Sequence, residues 1–228
     1  MTRDWSLVRG NPAPGNPTLI RDLAGMIATA ASDAYDAQAS LDGIAADLGA
    51  TGWEGDAARA FDEAFSPLPG DLGLMAASYD GAARALSVYA DRLEAIQAAA
   101  RQALTRAELA SYRREVADER LAAARGRILD LGRQLAVTRA QEEAAELARA
   151  APLPDDIWSF TDDANLTRVR QQRWSIEQAL GGATVEQDSA ASARGQADGD
   201  LGAARGSIAA LATDRREAEQ RAARAIAA

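Results

Sequence analysis

The residues of this chain that could do chemistry are carboxylates and arginines. Three of the adjacent acid pairs are candidates for such chemistry: Glu142/Glu143, Asp155/Asp156 and Asp162/Asp163. Paired carboxylates perform acid–base work when a nucleophile or a basic group stands beside them. No such companion lies near any of the three in sequence. Helix starts attract Asp through capping and through the helix dipole, which accounts for the two Asp pairs. The arginine pairs Arg113/Arg114 and Arg215/Arg216 sit among acids. Glu142, Glu143 and Glu146 ahead of Arg149 have the spacing of solvated helix charge.

The missing residue types narrow the chemistry further. The chain has no His and no Cys. That excludes a thiolate nucleophile, the His-based triad, and Cys or His metal ligands. All 25 cations are Arg, so no Lys serves a phosphate loop, and the glycines fit neither dinucleotide nor phosphate-loop spacing. The sequence therefore predicts no catalytic, cofactor-binding or metal site. A small enzyme in the C-terminal half is the reading it favours least.

A different group of residues is more informative. Trp53, Glu54 and Gly55 form a Trp-x-Gly turn between two stretches of heptad apolar repeat. Upstream, the repeat takes Ile20, Leu23, Ile27, Ala30, Ala34, Ala37, Leu41, Ile44 and Leu48. Downstream, it takes Leu72, Met75, Tyr79, Ala82, Leu86, Tyr89, Leu93, Ile96, Ala100, Ala103, Ala107 and Ala110. Steps of three and four keep one stripe against a partner helix. Leu23, Ile27, Leu41, Ile44, Leu86, Leu93 and Ile96 are the expected core. The turn itself admits two readings. Gly55 and Trp53 either close an ordinary hairpin, with Trp tucked in, or form a recognition corner.

The elements that position this turn follow from punctuation. Residues 1–17 read as an irregular arm, because Asn11, Pro12, Pro14, Gly15, Asn16 and Pro17 oppose regular structure. Pro17 suits the first turn of a helix running to about Leu48, stopped by Gly49 to Gly52. Asp56 to Phe65 predicts a short helix with Phe61 and Phe65 on one face. Pro67 and Pro69 interrupt, and Asp71 is the expected cap of the next helix. From Asp71 to Ala151 that helix would span about 120 Å. Its seam continues through Ala117, Leu121, Ala124, Ile128, Leu131, Leu135 and Ala145, weakened by Arg114, Thr138 and Glu142. Gly126 and Gly132 each cost about 1 kcal/mol relative to Ala, too little to stop it.

A turn at Pro152–Asp156, with an apolar knot of Ile157, Trp158 and Phe160, sends the chain back. Asp162 or Asp163 is the expected cap. The return seam runs from Leu166 to Ala225 and is interrupted by Arg173, Gln187, Arg194 and Arg215. Gly181-Gly182 is a potential break. Gly195, Gly199, Gly202 and Gly206 form either a small-residue face for another helix or a stretch that frays. Antiparallel pairing about the turn should set Leu135 near Leu180.

Charge and hydropathy bound the partners. The net charge of −9 repels phosphate backbones, so nucleic acid is not an expected partner. No apolar run reaches the roughly 18 residues of a membrane span. Met1 to Gly15 lacks the order of a signal peptide, so export would need another route.

Several spaced motifs in the first ~105 residues, a boundary good to several residues, carry a resemblance. They are Pro14-Gly15-Asn16-Pro17, Ile20-Arg21-Asp22-Leu23-Ala24, and Trp53-Glu54-Gly55 with Ala57-Ala58-Arg59-Ala60-Phe61. Pro69 to Leu72 follow, then Ser78-Tyr79 through Leu86, and Tyr89-Ala90 to Leu93. In this order they resemble the N-terminal targeting domain of type VII secretion substrates, in the WXG-type form that heads actinobacterial polymorphic toxins. Arg without Lys, with abundant Ala, fits a GC-rich coding bias of the actinobacterial kind.

The resemblance implies a helical hairpin recognised by a type VII secretion ATPase and channel. It also implies a C-terminal effector, often a toxin, outside the sequence seen here. A small WXG-type helical partner or a second copy of the chain is the implied companion. Trp53, Gly55, Phe61, Phe65 and Tyr89 are the expected recognition residues. The chain departs from the family in one respect. Such substrates or their partners often carry Tyr-x-x-x-Asp/Glu, whereas Tyr89 is followed four places on by Leu93, with Glu94 one place too far. The signal then resides on a partner or takes another form.

The expectation is thus an all-α, elongated antiparallel helical hairpin continued by a long coiled-coil stalk. Its parts are an irregular arm at 1–17, a WXG-like hairpin at 18–105 and an antiparallel helical stalk at 106–228. The expected function is non-catalytic targeting of a secreted effector. The alternative is a structural coiled-coil scaffold without an export role.

Overall fold

The computed structural model describes residues 5–150 and 160–227, with only the backbone described at 160–162. The fold is all-α, as expected, and no strand occurs among the described residues. A short 3-10 turn at Ser6–Val8 precedes four helices: α1 (Pro17–Ala50), α2 (Asp56–Phe65), α3 (Leu68–Ala150) and α4 (Phe160–Ala227). The expected Pro152–Asp156 turn and Ile157 and Trp158 of the knot lie outside the described residues, as do the side chains of Phe160 and Asp162.

The helix limits have local causes. Asn16 caps α1, its Oδ1 accepting from Thr18 N at 3.0 Å and Leu19 N at 3.4 Å, and Pro17 fills the first turn. The end of α1 passes into Gly52 at φ +66°, a backbone state that glycine adopts without strain. α3 begins at Leu68, earlier than expected, because Pro69 in a first helical turn loses no hydrogen bond. Asp71 therefore sits inside the first turn, not at the cap, where its charge still meets the helix dipole. Gly126, Gly132 and the Gly181-Gly182 pair do not interrupt α3 or α4; burial of the flanking seam outweighs their low propensity.

Two compact units emerge. The first takes residues up to Thr105 together with those from Ala204 onward; the second takes Arg106 to Ala203. In the first unit, α1 runs antiparallel to the start of α3. Arg21 on α1 holds Asp91 and Glu94 on α3 at 2.8 and 2.9 Å. In that register the buried residues are alanines: Ala24, Ala31 and Ala34 on α1, and Ala76, Ala83 and Ala90 on α3. Side chains this short bring the helix axes close.

This seam corrects one expectation. Leu23 is 48% exposed and Ile44 46% exposed, although both were expected in the core. Close packing through Ala24 and Ala31 turns the larger side chains onto the flank. Leu19, Met26, Met75 and Tyr79 are exposed as well. Ile27, Leu41 and Leu86 are half-buried, while Leu93 and Ile96 are fully buried as expected.

The arm is packed. Ala13 forms a cluster with Leu93 and Ile96, joined by Ile20, Tyr89 and Leu211 at its edge. Gln97 Nε2 donates to the carbonyls of Ala13 and Gly15, each at 3.0 Å, and Arg205 Nε donates to Leu7 O at 3.0 Å. Gly15 is required twice over. Its φ is +127°, and a Cβ there would lie 3.3 Å from Leu93 Cδ2.

In the second unit, α3 and α4 pair antiparallel. Arg114 meets Asp198 at 3.3 Å, Asp118 meets Arg194 at 2.8 Å, Arg127 pairs with Glu186, and Arg139 meets Glu177 at 3.5 Å. Further along, Glu142 meets Arg170 at 3.0 Å and Arg149 meets Asp163 at 3.3 Å. The α4 partner falls as the α3 number rises. Leu135 and Leu180 are bracketed by these pairs, as the sequence predicts.

The charged seam positions Arg173, Arg194 and Arg215 have carboxylates within ion-pair distance, while the buried Nε of each completes no hydrogen bond. Glu142 is buried and receives Arg173 as well as Arg170, while Thr138 Oγ1 donates to Gln134 O at 2.9 Å. Arg194 is matched by Asp118, and Arg215, in the first unit, by Glu219 on its own helix. Gly195, Gly199, Gly202 and Gly206 lie in unbroken helix, and a Cβ at any of them would meet nothing within 4 Å.

Candidate functional site

The Trp53 turn is built by the end of α1, a positive-φ crossing and α2. Gly55 adopts φ +108° and ψ −174°, a conformation open essentially to glycine alone, and its carbonyl opens α2 by accepting from Arg59 N at 3.1 Å. Asp56 places a carboxylate in the first turn of α2 and pairs with Arg59. α2 buries none of its residues. What it supplies is an aromatic row: Phe61 and Phe65 stack with centroids 5.0 Å apart, and Trp53 meets Phe61 at 5.6 Å with the rings tilted by 57°.

These rings open onto a cleft of about 510 Å³. Ala45, Leu48 and Gly49 of α1 line it together with Trp53, Phe61 and Phe65 and the charged Glu54, Arg59 and Asp62. Trp53 remains 47% exposed and Phe61 38% exposed. Tilted and offset aromatic contacts of this kind hold a shape while leaving ring faces free. The arrangement suits binding an apolar or cationic group.

Four of the five expected recognition residues thus come together: Trp53, Gly55, Phe61 and Phe65. Tyr89 does not join them. It lies half-buried against the Ala13, Leu93 and Ile96 cluster, and its hydroxyl donates to Glu219 Oε1 at 3.0 Å. Burial, and then this hydrogen bond, raise the Tyr89 pKa above the ordinary tyrosine value. Tyr89 straps α3 to α4 within the first unit.

Sequence reasoning missed the exposed flank of α1. Leu19, Leu23 and Met26 recur at helical spacing beside the buried stripe, and a sequence stripe wider than one seam was the available signal.

Among the described residues, no group of three or more acids could hold a metal ion. A groove of about 890 Å³ follows the α3–α4 pair of the second unit; its hydroxyls, Tyr112 and Ser189, have no histidine or lysine to activate them, since the chain contains neither. Among the described residues, no helix is long and apolar enough to cross a membrane.

Compared with known proteins, the chain matches no family model, no curated protein and no solved structure.

Proposed function

We propose that this chain is the targeting and stalk region of a type VII secretion substrate, acting by binding and not by catalysis. The observation that carries the reading is the Trp53 corner. A tryptophan at a tight turn that served only packing would be covered, whereas Trp53 keeps nearly half its surface open beside Phe61. The motif order that includes Trp53 and Gly55 supplies the family. In this reading the corner and the adjoining helix faces meet the secretion ATPase and channel, and the protein leaves the cell by that route with an effector on the same polypeptide. The exposed Leu19, Leu23 and Met26 flank supports a helical companion, either a small WXG-type protein or a second copy.

A second reading has its own support. The α3–α4 pairing in the second unit, with its run of cross-helix ion pairs, suits a structural coiled-coil scaffold. Export separates the two. The test compares wild-type protein with Trp53→Ala, reading helicity by circular dichroism and the fraction found in the medium. Loss of export with helicity intact supports targeting. Equal retention of both proteins in the cell favours the scaffold.

A further inference from the structure

The chain's net charge is not spread along it. Residues 33–80 contain ten carboxylates and a single arginine, Arg59. That stretch alone carries −9, equal to the whole chain, and the remaining residues hold 24 acids against 24 arginines. The stretch comprises the second half of α1, the Trp53 turn, α2 and the first turns of α3. It is therefore the part of the hairpin that bears the aromatic cleft. Arg59 also lines the cleft and is paired with Asp56. Glu54 and Asp62 line the cleft and make no ion pair among the described residues.

Such concentration does nothing for folding, because like charges on one tip repel. Coiled-coil pairing also has no use for it, since the α3–α4 ion pairs of the second unit draw on balanced charge. It does select a partner. Carboxylates lining the cleft, in excess over its one arginine, raise the local concentration of cations and exclude phosphate-rich surfaces, both nucleic acid and anionic membrane. Within the cleft, the open faces of Trp53 and Phe61 present the negative side of the aromatic quadrupole to an arriving guanidinium or ammonium group.

From these observations we infer that the Trp53 cleft docks a basic protein surface, one that seats an apolar side chain among Trp53, Phe61 and Phe65 and sets arginine or lysine against Glu54 and Asp62. The inference rests on the recognition role of the corner proposed above and names the chemistry of what the corner recognises.

The test uses the full chain and a fluorescent amphipathic peptide of arginine and leucine, with a glutamate–leucine peptide as its counterpart. Saturable one-to-one binding of the basic peptide is expected, weakening as salt rises and shortens the Debye length. Trp53→Ala should weaken it about tenfold, as expected for an aromatic anchor. Trp53→Phe, which keeps a ring, should recover most of the loss. The triple change Glu54→Gln, Asp62→Asn, Glu63→Gln should weaken binding and flatten its salt dependence. Neutralising Glu108, Glu115 and Glu119, which lie outside the tip, should leave it within about twofold.

Three results would overturn the proposal. Equal weakening by the outside triple would reduce the effect to diffuse charge. Unchanged binding by Trp53→Ala would remove the cleft from it. Equal binding of the glutamate peptide would leave only an apolar face. Export is read separately: a Trp53→Ala protein that loses basic-peptide binding yet exports normally would take the corner out of export recognition and leave the basic-surface assignment standing.

Discussion

Trp53 and Phe61 hold their ring centroids 5.6 Å apart across the turn between α1 and α2, and both remain substantially exposed. α2 buries none of its residues, so core packing does not account for the placement of Phe61. The pair is ordered but available, the condition of a binding surface with little conformational entropy left to lose.

The alanine seam makes a paired prediction. Leu23→Ala removes a side chain that is 48% exposed and should cost under about 1 kcal/mol. Ala24→Leu inserts bulk where the helices meet and should cost about 1–3 kcal/mol. Thermal melts of the two variants decide the phase of α1. A larger loss from Leu23→Ala would return the seam to the position first read from the heptads.

The arm should matter to stability. Leu93→Ala should cost about 2–5 kcal/mol, because it opens the cluster of Ala13 and Ile96. Gly15→Ala should cost about 1–3 kcal/mol through its positive φ, with the Leu93 contact adding to it. Chemical denaturation reads both. A neutral Gly15→Ala would detach the arm from α3.

Register in the second unit is testable by covalent chemistry. Leu131→Cys with Ala183→Cys should crosslink within one chain under mild oxidation, since the pairs Arg127–Glu186 and Arg139–Glu177 bracket those positions. Crosslinks found only between chains would replace the intramolecular pair by a dimer.

Tyr89 should give an alkaline signature. Its pKa is raised in the fold by burial and by donation to Glu219, so the neutral form is the one the fold favours. The associated stability is fully present below the unfolded tyrosine value near about pH 10 and is lost as pH rises through the higher folded value. Melts from neutral to strongly alkaline pH should show a steeper decline for wild type than for Tyr89→Phe. Parallel declines would remove the strap.

Much of the fold is legible in the sequence, and particular residues show why. The α4 seam from Leu166 through Ile176, Ala183, Ala190, Ala197 and Leu201 to Ile208 is buried as its spacing predicts. Asn16 and Pro17 announce the start of α1. On α1, Ala34 is buried as its spacing predicts, whereas Ala24 and Ala31 take the seam from Leu23, because hydrophobicity favours the larger side chain in a sequence reading. Arg173 and Arg194 looked like breaks because a charge in a seam is unfavourable alone. Their partners, Glu142 and Asp118, sit on a helix distant in sequence. At the corner, the meeting of Trp53, Phe61 and Phe65 followed from local spacing, whereas the separate place of Tyr89 depended on α4 returning to the first unit.

The most direct test of the central claim, that the Trp53 corner is a recognition surface for export, is the paired measurement on Trp53→Ala in the full chain. Its melting free energy should stay within about 1 kcal/mol of wild type, while its fraction in the medium of a type VII-competent host falls about tenfold, as for loss of a binding anchor. Undiminished export of a folded Trp53→Ala protein, or its unfolding, would contradict the account and return the tryptophan to packing.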